Sequence, residues 1–258
     1  MARPRYPSSS GPLPPALPPE TRTVGQLVAE TIRLYANRFW PVLPLGLVVA
    51  AADQASLGLD VAGRIAVLAA AAPFFSAAYA AAAAIVAGRS PARRTWLVAI
   101  ALGTVFFLPA AFLFPWFALA GIAWLGFFGN IVPAVMMEQR APRDAIRRAI
   151  EVARADLVHA LGGLATLAIL FGLTRLALGF VLRSQADNTV RVSIFLADVV
   201  LGPLLFVGGA LLFLDLRARV GVGSRGRRER RSRADLPDAD DAHREGRTDV
   251  EVEPETTA

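Results

Sequence analysis

The 258-residue chain contains no cysteine and no lysine, and only two histidines. Without cysteine, disulfides, thiolate nucleophiles and cysteine-ligated metals are excluded. Without lysine there is no amine nucleophile and no phosphate-loop lysine. His159 and His243 do not form a His-x-x-x-His pair, and no Gly-x-Ser-x-Gly elbow occurs. No catalytic, cofactor-binding or metal-binding constellation is assembled. The chain reads as a non-enzyme without a cofactor.

Charge is scarce over much of the length. From Thr95 to Met137 no residue is charged. What fills the space is apolar: 55% of the chain is hydrophobic and its mean hydropathy is +0.48. The apolar residues stand in long blocks, and the charges are confined to the ends and a few loops. Lipid imposes that distribution, because an unpaired polar group in hydrocarbon costs several kcal/mol. The Ala-, Gly- and Arg-rich texture points to a high-GC bacterial genome. Residues 1–22 are rich in Pro, Ser and Gly and read as a disordered leader, with no signal-peptide core.

The segments predict an all-α polytopic bundle over residues 23–216, with six transmembrane helices and two amphipathic surface helices. The first surface helix covers 23–38, opening on Thr23 and Gln26 in capping-box spacing. Val24, Leu27, Val28, Thr31 and Tyr35 share one of its faces. The second covers 142–157, with Ile146, Ala149, Ile150, Ala153 and Leu157 on one face and Asp144–Arg148 and Arg147–Glu151 as i,i+4 pairs. Spans are predicted at about 40–57, 61–87, 95–112, 115–137, 158–182 and 193–214. The uncharged stretch would be ~64 Å long as one helix, about twice the ~30 Å hydrocarbon core. It is therefore two crossings, with a turn expected near Pro109 and Pro115. The pairing of a surface helix with the crossing after it recurs faintly at 24–57 and 143–182.

Arginine placement orients the bundle. Arg89, Arg93 and Arg94 mark one loop and Arg140, Arg143, Arg147, Arg148 and Arg154 another, whereas the intervening loops carry few arginines. By the positive-inside rule both termini are expected in the cytoplasm and the protein in the cell membrane. Residues 217–258 read as a disordered charged tail. Eight arginines against Glu229 give 217–233 a net charge of +7, and nine acids against Arg244 and Arg247 give 234–258 a net of −7. The basic half suits an anionic cytoplasmic leaflet. Nucleic acid is not expected, because no aromatic residue interleaves the arginines.

Three charges fall inside predicted spans: Asp53, Arg175 and Asp198. At ~1.5 Å per residue the last two sit at similar depth, which predicts an ion pair with Asp53 as a third member. Asn130 is a candidate interhelical polar contact.

Two motifs also carry a resemblance. Val132-Pro-Ala-Val-Met-Met-Glu138 precedes Ala145-Ile-Arg-Arg148, and Leu211-Leu-Phe-Leu-Asp-Leu-Arg217 ends the last crossing. With Thr23-Val-Gly-Gln-Leu and Arg33-Leu-Tyr-Ala-Asn-Arg-Phe39, the chain over roughly 23–217 resembles uncharacterised bacterial membrane proteins named after the membrane domain of glycerophosphodiester phosphodiesterase. Ala149 stands where that pattern has Ser, and the aromatic before Asp215 is Phe213, without a hydroxyl. The resemblance implies an accessory membrane module of unknown activity, not phosphodiesterase chemistry. The first expectation is a scaffold, regulator or accessory subunit with a membrane or cytoplasmic protein partner. The second is a small transporter or lipid-handling protein using the polar cluster.

Overall fold

The structure, a computed structural model, describes residues 18–234, and the side chains of 18–221. The expectations for residues 1–17 and 235–258 lie outside the described residues. Ten α-helices and no strand occur among them. Five helical segments are long and apolar enough to cross a bilayer, six if a bent pair near the start counts as one. The protein is a multi-pass, all-α membrane bundle.

Helix α1 (Val24–Asn37) starts on the predicted capping box: Gln26 N donates to Thr23 Oγ1 and Thr23 N donates to Gln26 Oε1. It buries Leu27, Thr31 and Tyr35. At Arg38 the chain turns, and the segment Phe39–Ala55 leaves at 104° to α1. That segment is not one regular helix. It comprises α2 (Phe39–Val42), a 3₁₀ turn at Leu43–Leu45, and α3 (Gly46–Ala55). Pro41 and Pro44 each lack an N–H and interrupt the helical ladder.

Helix α4 (Val61–Ala87) is capped by Asp60 at its start and ends on Gly88 in the left-handed region, φ 62°. Helix α5 (Arg93–Leu113) packs antiparallel to it, and α6 (Ala118–Phe128) and α7 (Ile131–Glu138) together make the next crossing. The turn expected near Pro109 and Pro115 falls at residues 114–117; Pro109 lies inside α5. Neighbouring helices tolerate such a proline within a membrane helix. Helix α8 (Pro142–Ala155) then leads into α9 (Leu157–Val181), and α10 (Asp187–Ala234) completes the bundle.

Two predicted features of these elements shift. The buried face of α8 is Ala145, Ala149, Val152 and Ala153. Ile146 and Ile150 are only half-buried and Leu157 is exposed. Alanines let α8 approach α6 and α7 more closely than the isoleucine face would. The last helix is also longer than the predicted span, continuing through the arginines to Ala234. Arginine favours helix, and no proline occurs between Pro203 and Pro237.

The tightest seam joins α3 to α10. Pro203 cannot donate to the carbonyl of Val199, four residues earlier, so that oxygen has no helical partner. Gly46 faces it: a Cβ there would lie 2.1 Å from Val199 O and 2.8 Å from Pro203 Cδ. The backbone of α3 thus comes up against the carbonyl freed by the proline. Gly46→Ala is expected to destabilise the protein by about 1–3 kcal/mol, because main chain rather than a side-chain tip must move. The helix-propensity gain of about 1 kcal/mol offsets this only in part. A thermal unfolding midpoint in detergent equal to wild type would show that the seam has slack.

Candidate functional site

Polar side chains gather at two levels of the bundle. At the arginine-poor end, α3, α9 and α10 bring together Asp53, Arg175 and Asp198. Arg175 Nη2 lies 2.8 Å from Asp53 Oδ2, and its Nε lies 3.2 Å from Asp198 Oδ1. Asp198 is fully buried, whereas Asp53 and Arg175 retain about a quarter of their side-chain exposure (23% and 27%). The guanidinium sits at ion-pair distance without aiming its N–H groups. Neither Asp198 oxygen, nor Asp53 Oδ2, accepts a hydrogen bond among the described residues. The three sequence-identified charges therefore meet, with one guanidinium facing two carboxylates.

Asn130 behaves differently from its expectation. It is buried, and its Nδ2 donates to Gly126 O at 3.3 Å. The bond spans the break between α6 and α7, within one crossing, rather than reaching a separate crossing. The break itself explains this, since carbonyls near the end of α6 lose their helical donors.

Asn130 also lines a cavity of about 510 Å³. Its walls are apolar, with Phe75, Phe107, Phe128 and Phe206 set among aliphatic side chains and Ser76, Tyr79 and Asn130 the polar groups. Phe75 stacks on Phe107 at 4.9 Å, and Phe106 on Phe128 at 5.3 Å, which holds the walls apart by ring-on-ring packing. Gly209 keeps Tyr79 close to α10: a Cβ there would stand 3.0 Å from the Tyr79 hydroxyl. The cluster lies about one helical turn from this cavity's wall, and Asp53, Arg175 and Asp198 are not themselves part of the lining. Val49, one helical turn before Asp53, and Phe171, one turn before Arg175, both line it. Arg175 lies over the Phe171 ring at 5.6 Å.

The second polar level, at the arginine-rich end, was not identified as a site from sequence. Asp215 is fully buried in α10 and pairs with Arg22 at 2.7 Å. His159 Nε2 stands 3.7 Å from the other Asp215 oxygen. Arg219 pairs with Asp156, donates to Arg22 O at 2.7 Å, and approaches His159 Nδ1 at 3.3 Å. A guanidinium can only donate, so Nδ1 is the acceptor in that contact, and the ring's other nitrogen, Nε2, faces Asp215. Asp156 also caps α9, accepting from His159 N at 2.9 Å. Burial raises the Asp156 carboxyl, but the His159 N–H and Arg219 outweigh it and hold it below the usual carboxylate range.

Beside this group, the nearly buried Glu138 is met by Arg140, Arg148 and Arg217. Arg148 also pairs with Glu151 at 3.0 Å, in place of the expected i,i+4 partner Asp144. Arg148 sits where it serves two carboxylates from different segments. Glu138, Arg148, Asp215 and Arg217 are residues of the two motifs that carried the family resemblance, and here they occupy one end of the bundle. That was the available signal. Asp215 fell one residue past the predicted end of the last span and so was not counted as buried.

Compared with known proteins, the chain matches no family model, no curated protein and no solved structure. No group of three or more His, Cys, Asp or Glu able to hold a metal ion occurs among the described residues. The protein is a polytopic membrane bundle with an apolar cavity and, one helical turn from its wall, a charged cluster.

Proposed function

We propose that the protein handles a lipid or lipid-like amphiphile within the cell membrane, and that it performs no covalent chemistry. The observation that carries this reading is the apolar cavity of about 510 Å³ inside the bundle. Its size suits a small-molecule ligand, and its lining suits hydrocarbon. A path for hydrophilic solutes would need a run of polar groups; Ser76, Tyr79 and Asn130 are the polar side chains of the lining, and the rest of it is apolar. The arginine-rich end would face the cytoplasm by the positive-inside rule, putting the cluster towards the outer leaflet. Membership in the family that the Glu138 and Asp215 motifs resemble belongs to the same proposal.

Filling the cavity tests the reading. Ala168 lines it from α9. Ala168→Phe is expected to abolish retention of a hydrocarbon-bearing molecule that wild-type protein carries through purification in native lipid, as read by mass spectrometry. Equal retention by both forms would defeat the proposal.

A second reading, an accessory subunit or scaffold, draws on α8. Arg143, Arg147 and Arg154 are exposed on it, opposite its buried alanine face. Such a stripe suits the anionic cytoplasmic leaflet or an acidic protein partner.

A further inference from the structure

We propose that the molecule taken up by the cavity is a cationic amphiphile, a hydrocarbon body carrying a primary ammonium, with Asp53 and Asp198 as its head-group site. The proposal rests on the lipid-handling reading and adds the charge of the ligand.

The charge count comes first. One guanidinium faces two carboxylates, so the cluster with both carboxyls ionised carries one excess negative charge. An uncompensated negative charge beside an apolar wall is costly, and a site that retains one favours a cation. An anionic head group would meet that excess charge as repulsion.

Hydrogen bonding points the same way. Asp198 is fully buried, yet neither of its oxygens accepts a hydrogen bond among the described residues, and Asp53 Oδ2 is in the same condition. Arg175 supplies charge at 2.8 and 3.2 Å but not aligned donors. An ammonium brings three N–H donors on one compact atom, which is what these acceptors lack. Its approach runs past Asp53 and Arg175, the two members of the cluster that are partly exposed.

The cavity supplies the rest of the ligand's shape. Val49 and Phe171 belong to its wall and stand one turn from Asp53 and Arg175 on their helices. A chain lying in the cavity would end about one helical turn from the cluster, whose three residues are not part of the lining. Arg175, held over Phe171, can swing on its long side chain to admit the ammonium. Inorganic cations satisfy the charge but leave the apolar space empty. A zwitterionic aminophospholipid and a singly charged amine share the ammonium, and the test separates them.

The experiment uses the full chain in nanodiscs of zwitterionic choline lipid, with empty nanodiscs as the partition control. Dodecylammonium, dodecanol and dodecanoate are titrated at neutral pH, and binding is read from the thermal unfolding midpoint and by native mass spectrometry. Dodecylammonium is expected to bind about tenfold or more tighter than dodecanol, the scale of a charge-assisted hydrogen bond, with dodecanoate weakest. Asp198→Asn and Asp53→Asn should bring dodecylammonium down to the alcohol's level while leaving dodecanol unchanged. Equal binding of all three, or a preference for dodecanoate, overturns the ammonium site but leaves the cavity reading standing. An ammonium preference that survives both Asn variants also overturns it. Binding of all three compounds that Ala168→Phe does not reduce would instead overturn the cavity reading. Competition by ethanolamine phospholipid, and not by choline phospholipid, would assign the head group to an aminophospholipid; absence of competition would assign it to a singly charged amine.

Discussion

Asp215→Ala is expected to remove most of the folded protein from detergent extracts. Asp215 is fully buried and Arg22, its partner at 2.7 Å, is nearly so. Deleting one member of a buried ion pair costs about 3–5 kcal/mol. That is a large share of the roughly 5–15 kcal/mol that holds a typical protein folded. The loss extends beyond Arg22, because His159 faces the same carboxylate and Arg219 bonds the Arg22 carbonyl. Combining Arg22→Met with Asp215→Leu should restore much of the yield, since apolar replacement of a whole buried pair is often neutral. Monodisperse yield and thermal midpoint check both variants. A double variant no better than Asp215→Ala would mean that the two side chains are not energetically coupled.

Arg175→Met should rank second. It leaves Asp198 fully buried and Asp53 mostly so, with no other ion-pair partner for either among the described residues. The expected loss is about 3 kcal/mol, limited by the ability of a stranded carboxyl to take up a proton. Adding Asp198→Asn to Arg175→Met should recover stability, because the stranded charge is then gone. Asp198→Asn alone should be mild, as Arg175 keeps Asp53. If Arg175→Met unfolds at the wild-type temperature, the cluster contributes nothing to the packing of α3, α9 and α10.

How much of this was legible in the sequence depends on the range of the interaction that sets each feature. Local signals read well. Thr23 and Gln26 cap α1 within one turn of chain, and the uncharged stretch from Thr95 to Met137 is too long for one crossing. The three intramembrane charges could be gathered because lipid forces charges together and depth can be counted along each helix. Features set by partners distant in sequence read poorly. Pro109 looked like a turn but lies within α5, where packing by neighbours absorbs its missing bond. Ile146 and Ile150 looked like the buried stripe of α8, but close approach favoured its alanines. The cavity could not be read at all, because Phe75, Phe107, Phe128 and Phe206 come from four different helices. No periodicity within one helix reports a space between several.

The placement of carboxylates on α10 has a consequence for how the protein is made. Asp198 and Asp215 lie 17 residues apart in one helix, about 26 Å along its axis. Each answers an arginine that leaves the ribosome earlier, Arg175 and Arg22 respectively. Until α10 enters the bilayer, Arg22 lacks its Asp215 partner and Arg175 lacks Asp198. A nascent or truncated chain that stops short of α10 therefore exposes those mismatched charges to insertion factors and membrane proteases. Arrival of α10 resolves both together, near opposite faces of the membrane, so insertion of that helix is itself the step that closes the assembly.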